Sequence, residues 1–155
     1  DTNFFDIITI WEVLEHMYDP YSFLCSVSAI TKPDGIVFLS LPNIDGFDIQ
    51  ILWDKGNAFS PPSHLNYFRK SSVNKLIERA GLIVEDISTP GKLDVDIVRN
   101  RIDNHPDITD RLGKFFTNIL RKKSAESDLF AEKLQNTIQE CGLSSHMVIA
   151  CSKKT

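Results

Sequence analysis

Two apolar runs flank a short amphipathic helix in the first third of the chain, and this order constrains the fold most strongly. Residues 4–11 (FFDIITIW) and 36–41 (IVFLSL) are rich in β-branched and aromatic side chains with little alternation. Such runs are typical of strands covered on both faces, as in a parallel sheet. Between them, Asp19 and Pro20 predict the start of a helix with apolar positions at helical spacing. A strand, a helix and a strand in this order predict a parallel pair with a right-handed crossover, and therefore an α/β fold.

A long segment rich in aromatic residues, Gly and Pro follows the second strand, from residue 43 to residue 68. Residues 48–53 are compatible with a helical turn, and the rest is predicted to be loop. Loops of this length in compact domains usually carry binding or lid functions. Ser71 or Ser72 is then predicted to cap a helix that ends at Gly81, and residues 82–87 are predicted to form a third strand.

From residue 89 to residue 142 the chain reads as amphipathic helices rather than strands. Residues 146–151 (HMVIAC) form a last predicted strand. We therefore predict one partial domain over residues 1–155, with core elements over 4–88, a helical insert over 89–142 and the final strand within 143–155. The apolar stripes that predict the insert's helices are Leu93, Ile97 and Val98; Leu112, Phe115, Phe116, Ile119 and Leu120; and Phe130, Leu134, Ile138 and Cys141.

The composition argues against several classes of function. The 155 residues include 17 Lys and Arg against 21 Asp and Glu, a formal charge of −4, which argues against a general binder of nucleic acid or anionic membrane. No apolar run approaches the roughly 20 residues that span a bilayer, and no basic-then-apolar leader opens the sequence. The three cysteines, Cys25, Cys141 and Cys151, lack metal-site spacing and predict reduced thiols, so we expect a cytoplasmic protein.

Candidate chemistry lies after the first strand, because ligands of open parallel sheets bind beyond the carboxyl ends of the strands. If residues 12–16 (EVLEH) are helical, Glu12, Glu15 and His16 share one face, and His64 lies on the long loop after the second strand. Two carboxylates and one or two imidazoles suit a divalent cation such as Mg²⁺, Mn²⁺ or Zn²⁺. The alternative is that both glutamates are exposed and that His16 only orients a backbone group.

These segments together resemble class I S-adenosylmethionine-dependent methyltransferases. The resemblance rests on residues 6–8 (DII), 12–16 (EVLEH), 32–35 (KPDG) and 41–43 (LPN), in this order and spacing. The branch that contains ubiquinone-biosynthesis O-methyltransferases is the most similar, since residues 63–68 (SHLNYF) and 76–82 also match it. The resemblance covers roughly residues 4–88 and the final strand.

The resemblance also identifies what the chain does not contain. The family's glycine-rich cofactor loop and the acidic residue that holds the ribose have no counterpart here. The resemblance therefore implies a Rossmann-like methyltransferase sheet that lacks its first three strands, with a helical insert before the last strand. It also implies weak cofactor binding, no activity of this fragment alone, and self-association through the exposed sheet edge.

The resemblance implies methyl transfer from S-adenosylmethionine to a small-molecule or saccharide acceptor by the full-length enzyme. His16 and Glu15 are then the candidate catalytic residues, with His16 as a proton acceptor or positioning residue. Trp11 and Glu12 would flank the methionine end of the cofactor, and Glu12, Glu15, His16 and His64 would bind a metal, Mg²⁺ or Mn²⁺. The competing hypothesis is a methyltransferase-like module without catalysis that acts in binding or assembly.

Overall fold

Four strands form one mixed sheet in the order β1-β2-β4-β3 in the computed structural model, which describes residues 2–104, 118–121 and 124–153. β1 and β2 are parallel, and β4 is antiparallel to both β2 and β3. The predicted parallel pair and the α/β class are thereby confirmed. The strands are β1 (Phe5–Trp11), β2 (Thr31–Pro42), β3 (Leu82–Ser88) and β4 (His146–Lys153).

Helices connect these strands and account for most of the described residues between 89 and 145. The α-helices are α1 (Pro20–Ile30), α2 (Phe47–Leu52), α3 (Lys70–Arg79), α4 (Asp94–Asn104) and α5 (Ala125–Glu140). Short 3₁₀ turns cover Leu14–His16 and Trp53–Lys55, and residues 118–121 are also helical. Leu112, Phe115 and Phe116 of the predicted second stripe lie outside the described residues. Among the described helices, none has the length and apolar character of a membrane span.

Local chemistry explains where the connecting helices begin and end. Asp19 caps α1 by accepting the backbone N–H of Ser22 at 3.0 Å, and Pro20 occupies the first helical position. Neither Ser71 nor Ser72 is the N-cap of α3, contrary to the prediction. Arg69 is the N-cap residue. Its backbone N–H donates to the hydroxyl of Ser72 at 2.9 Å, so a side chain in the first turn of the helix satisfies this donor.

The described residues divide into two units, each with its own core. The sheet unit comprises residues 1–44, 61–88 and 146–155, and the helical unit comprises residues 45–60 and 89–145. The core of the sheet unit is built on Leu39, Leu41 and Ile149 from the central strands, with Leu24 of α1 and Ile77 of α3. The core of the helical unit is built on Leu52, Val95, Val98, Ile102, Leu120, Ala131 and Ile138.

Two expectations for the first strands were wrong. β1 is not covered on both faces within the described chain, because it lies at one edge of the sheet and only Ile10 is buried. The second strand, predicted over residues 36–41, begins earlier, at Thr31, and residues 32–35 interrupt its pairing with β1. The register moves from Phe5 opposite Thr31 to Ile7 opposite Ile36, so three extra residues bulge from β2 at this point.

A buried polar cluster links the segments of the helical unit. Asp94 is 1% exposed and accepts hydrogen bonds from the Ser144 hydroxyl, the Ser145 backbone and Gln135. Burial opposes ionisation of Asp94, but these hydrogen bonds outweigh it and lower its pKa. Asp48 is also buried, and there desolvation dominates and, with the nearby Asp94 charge, raises the pKa of its carboxyl. Ionisation of Asp48 therefore lowers the stability of the fold, whereas ionisation of Asp94 adds to it.

We predict that Asp48 makes the protein less stable as pH rises above about 4. A carboxyl whose pKa is raised in the folded state stabilises the fold below its unfolded pKa, and that contribution is lost as pH rises through the folded pKa. Asp48→Asn should weaken this dependence in urea unfolding measured from pH 4 to 7 and leave the part that Glu15 contributes, whereas Asp54→Asn, at an exposed position, should retain it in full. Equal pH dependence of wild type and Asp48→Asn would contradict the assignment.

Candidate functional site

The segment after β1 is not a continuous helix, and this separates its two glutamates. Glu12 has a left-handed backbone with φ of 52°, and the 3₁₀ turn begins only at Leu14. Glu12 and Glu15 therefore do not share a helical face, although the sequence spacing predicted that they would. Glu15 points into the protein at 1% exposure, whereas the Glu12 side chain is 46% exposed.

Backbone and side-chain hydrogen bonds fix the loop that carries His64 against this turn. The backbone carbonyl of Glu15 accepts the N–H groups of Leu65 and Asn66 at 2.9 and 3.0 Å. The Asn66 side-chain amide donates to the Met17 carbonyl at 2.6 Å. His64 is thereby held beside His16, with ring centroids 4.8 Å apart and the rings nearly perpendicular.

Three ligand-type side chains converge at this point. One donor atom from each of Glu15, His16 and His64 lies within 4.8 Å of the other two. His16 contacts the Ser63 carbonyl through Nδ1 at 2.7 Å, and a carbonyl can only accept, so Nδ1 carries the proton. Its Nε2 lies 3.7 Å from Oε1 of Glu15. In the neutral ring Nε2 therefore presents its lone pair to the cluster, which is how a metal-binding imidazole is usually oriented.

The carboxylate of Glu15 is the most unusual group of the cluster. Among the described residues, neither of its oxygens has a hydrogen-bond partner. Burial raises the pKa of Glu15, and the charge of Glu12 adds to this rise, whereas the residue's own backbone N–H and the two imidazoles oppose it. A buried carboxylate without donors is costly unless a proton or a cation compensates it. The expectation that both glutamates are exposed is therefore wrong for Glu15, although His16 does contact a backbone carbonyl.

Glu12 lies in a second cluster, together with Ser40 and His146. The Ser40 hydroxyl donates to Oε1 of Glu12 at 2.8 Å, and Nδ1 of His146 lies 3.6 Å from the same oxygen. The structure does not bring Glu12 into the group formed by Glu15, His16 and His64. Trp11, the last residue of β1, is 54% exposed.

His146 is a site residue that the sequence analysis did not identify. It is the first residue of β4 and pairs with Pro42, the last residue of β2. Because β4 is antiparallel, its first residue lies at the carboxyl edge of β1 and β2, where Glu12 also lies. The sequence alone does not place a polar residue at the start of a strand beside the carboxyl ends of other strands. That placement follows only when the strand is known to be antiparallel to them.

The family profile described as "Methyltransferase domain" matches residues 1–87, more than half of the chain. The chain belongs to the class I S-adenosylmethionine-dependent methyltransferases. This confirms the resemblance seen in the sequence, and the matched range contains Glu12, Glu15, His16 and His64.

Similar curated proteins agree with this family. The ubiquinone biosynthesis O-methyltransferase of Haemophilus ducreyi is 51% identical over 39 residues, which are 25% of this chain and 16% of that protein. The protein of the same name from Vibrio vulnificus is 31% identical over 90 residues, 54% of this chain and 38% of that protein. The matches thus span well under half the length of these relatives.

Solved structures with the same fold cover nearly the whole chain. A putative methyltransferase from Haloferax volcanii, in complex with the Trm112 activator, gives a TM-score of 0.56 at 14% identity. A possible histamine N-methyltransferase from Thermotoga maritima gives 0.55 at 13% identity. They cover 100% and 99% of this chain, which spans 57% of each of those chains. The Rossmann-like methyltransferase fold predicted from the sequence is confirmed.

We predict that Asn66 is needed to hold His64 in the cluster. Asn66→Ala removes the donor to the Met17 carbonyl in a partly buried position, which should cost about 1–3 kcal/mol of unfolding free energy. Urea unfolding measures this, and Asn57→Ala, at an exposed position, should change stability by less than about 0.5 kcal/mol. In nuclear magnetic resonance spectra, Asn66→Ala should also shift the ring signals of His64 and His16. Unchanged ring signals would show that the loop is held by other contacts.

Proposed function

We propose that this chain forms part of an enzyme that transfers a methyl group from S-adenosylmethionine to a hydroxyl of a small-molecule acceptor. The observation that carries the proposal is the buried carboxylate of Glu15, which has no hydrogen-bond donor among the described residues and lies beside two imidazoles at the carboxyl edge of a methyltransferase sheet. The relatives named as O-methyltransferases favour a hydroxyl acceptor, and a saccharide hydroxyl is included in this class. A module that only binds or assembles has no evident use for such a carboxylate, which is costly to bury.

Glu15, His16 and His64 suit a divalent cation. The donor atoms are mutually close, Nε2 of His16 is oriented toward the carboxylate, and Glu15 lacks donors that would compensate its charge. One carboxylate and two imidazoles favour Mn²⁺ over Mg²⁺, since Mg²⁺ prefers an all-oxygen shell. A cation bound there would supply Lewis acidity that lowers the pKa of an acceptor hydroxyl.

His16 has two candidate roles that exclude each other. With Nδ1 committed to the Ser63 carbonyl, only Nε2 remains for a ligand bond or for accepting a proton. We assign Nε2 to the cation together with Glu15, because the two groups face each other at 3.7 Å. In a protein without a bound cation, the same atom is the alternative proton acceptor.

Trp11 and Glu12 are assigned to the methionine end of the cofactor. Both follow directly from the carboxyl end of β1, where open α/β sheets bind their ligands. A neighbour of the same fold, a methyltransferase from Burkholderia thailandensis with a TM-score of 0.51, was solved with S-adenosylhomocysteine bound. No glycine-rich loop occurs in this sequence, so we expect the chain alone to bind cofactor weakly and to be inactive.

The free state of Cys25, Cys141 and Cys151 accords with a reducing, cytoplasmic setting.

Binding of Mn²⁺, followed by electron paramagnetic resonance, tests the cation site. We predict that wild type binds Mn²⁺ and that Glu15→Gln and His64→Gln bind it at least about tenfold more weakly, since even an outer-shell partner is worth 10–100-fold. Glu12→Gln is the matched control and should bind within about twofold of wild type, because Glu12 lies outside the group. No binding by wild type, or equal loss in Glu12→Gln, would contradict the proposed ligand set.

Self-association is predicted for this chain because β1 is an edge strand with exposed apolar side chains. Phe5, Ile7 and Trp11 are 43%, 61% and 54% exposed, and an unpaired strand edge of this kind templates pairing with another chain. Sedimentation at tens of micromolar, on the order of ordinary assay concentrations, should show dimers or larger species. Ile7→Lys should reduce them, because charge on an edge strand opposes such pairing. A wild-type chain that stays monomeric would refute this prediction.

A further inference from the structure

We infer that His146 is the residue that accepts the proton of the acceptor group, and that Glu12 and Ser40 position its ring. The inference rests on the proposed methyl transfer and adds a residue that the family comparison does not assign. It follows from the second cluster at the carboxyl edge, which the proposed cation site does not use.

Ser40 of β2 anchors the cluster of Glu12, Ser40 and His146 in the sheet. Ser40 is 3% exposed and pairs with Trp11 across β1 and β2. Its hydroxyl donates to Oε1 of Glu12 at 2.8 Å, and its carbonyl accepts the backbone N–H of Glu12 at 3.0 Å. Both the backbone and the carboxylate of Glu12 are therefore tied to one buried residue, which fixes the direction of the carboxylate.

That carboxylate faces one nitrogen of His146. Oε1 of Glu12 lies 3.6 Å from Nδ1, just beyond hydrogen-bond distance, and the negative charge at this position favours a neutral ring with its proton on Nδ1 and its lone pair on Nε2. The His146 side chain is 42% exposed, so Nε2 is accessible from solvent. This division of roles between a carboxylate and an imidazole is the one that general-base histidines use.

The step balances without a further reagent. The acceptor oxygen forms a bond to the methyl carbon while the carbon–sulfur bond breaks, and the electron pair of that bond returns to sulfur. The hydroxyl proton passes to Nε2 of His146 and from there to solvent. The product is a methyl ether together with a neutral thioether.

The first test measures the ring tautomer and needs no activity. In ¹⁵N-histidine-labelled chain, the neutral His146 ring should carry its proton on Nδ1, with the signal assigned by its loss in His146→Gln. Glu12→Ala should shift the ring toward the Nε2–H form, and Ser40→Ala should shift it part of the way. Glu132→Ala, an exposed control on α5, should leave the tautomer unchanged. An Nε2–H ring in wild type, or no response to Glu12→Ala, would overturn the inference.

The second test measures rates on a protein that joins this chain to the first three strand–helix units, with their glycine-rich loop, of a related O-methyltransferase. His146→Gln should lower kcat by about 10²-fold or more with KM for S-adenosylmethionine within about twofold, because general-base contributions are of this size. Wild-type kcat in His146→Gln would overturn the inference while leaving the proposed function intact. Absence of methyl transfer in the wild-type fusion would count against the proposed function alone, and the tautomer would still decide the role of His146.

Discussion

The backbone carbonyl of Glu15 determines the geometry of the candidate site. It accepts the N–H groups of Leu65 and Asn66 and so fastens a loop to a turn some fifty residues earlier in the chain. Together with the contact between His16 and the Ser63 carbonyl, this junction holds His64 beside His16. The same residue thus contributes its carbonyl to the scaffold and its carboxylate to the cluster, so the support of the site and its chemistry depend on one short 3₁₀ turn.

The carboxyl edge of the sheet carries two polar clusters because the backbone of Glu12 is left-handed rather than helical. Glu15 turns inward to two imidazoles, while Glu12 turns toward Ser40 and His146. One centre has a carboxylate without donors and suits a cation. The other has a carboxylate held by a hydroxyl and paired with an imidazole. Under the proposed function, one carboxylate would bind a cation and the other would position an imidazole that accepts a proton.

Sequence reasoning identified the α/β fold, because apolar runs and helix signals such as Asp19-Pro20 act locally. It also identified three of the residues that converge, since their chemistry is unusual at a strand end. It predicted wrongly that both faces of β1 are covered, because the burial of a strand depends on the elements that pack against it and not on its own residues alone. It also grouped Glu12 with Glu15, because spacing alone does not reveal a left-handed residue. His146 was missed because its place depends on how a distant strand inserts into the sheet.

The conformation of Glu12 has a consequence for how position 12 tolerates change. A residue with a side chain in the left-handed region is strained by about 1–2 kcal/mol, whereas glycine adopts the same backbone freely. Glycine at this position would relieve the backbone and also remove the carboxylate that faces Ser40 and His146. That loss would also leave the buried Ser40 hydroxyl without its acceptor, which costs about 1–3 kcal/mol and offsets the relieved strain. Under the role proposed for Glu12, the left-handed backbone at position 12 is therefore strain kept for the sake of a carboxylate.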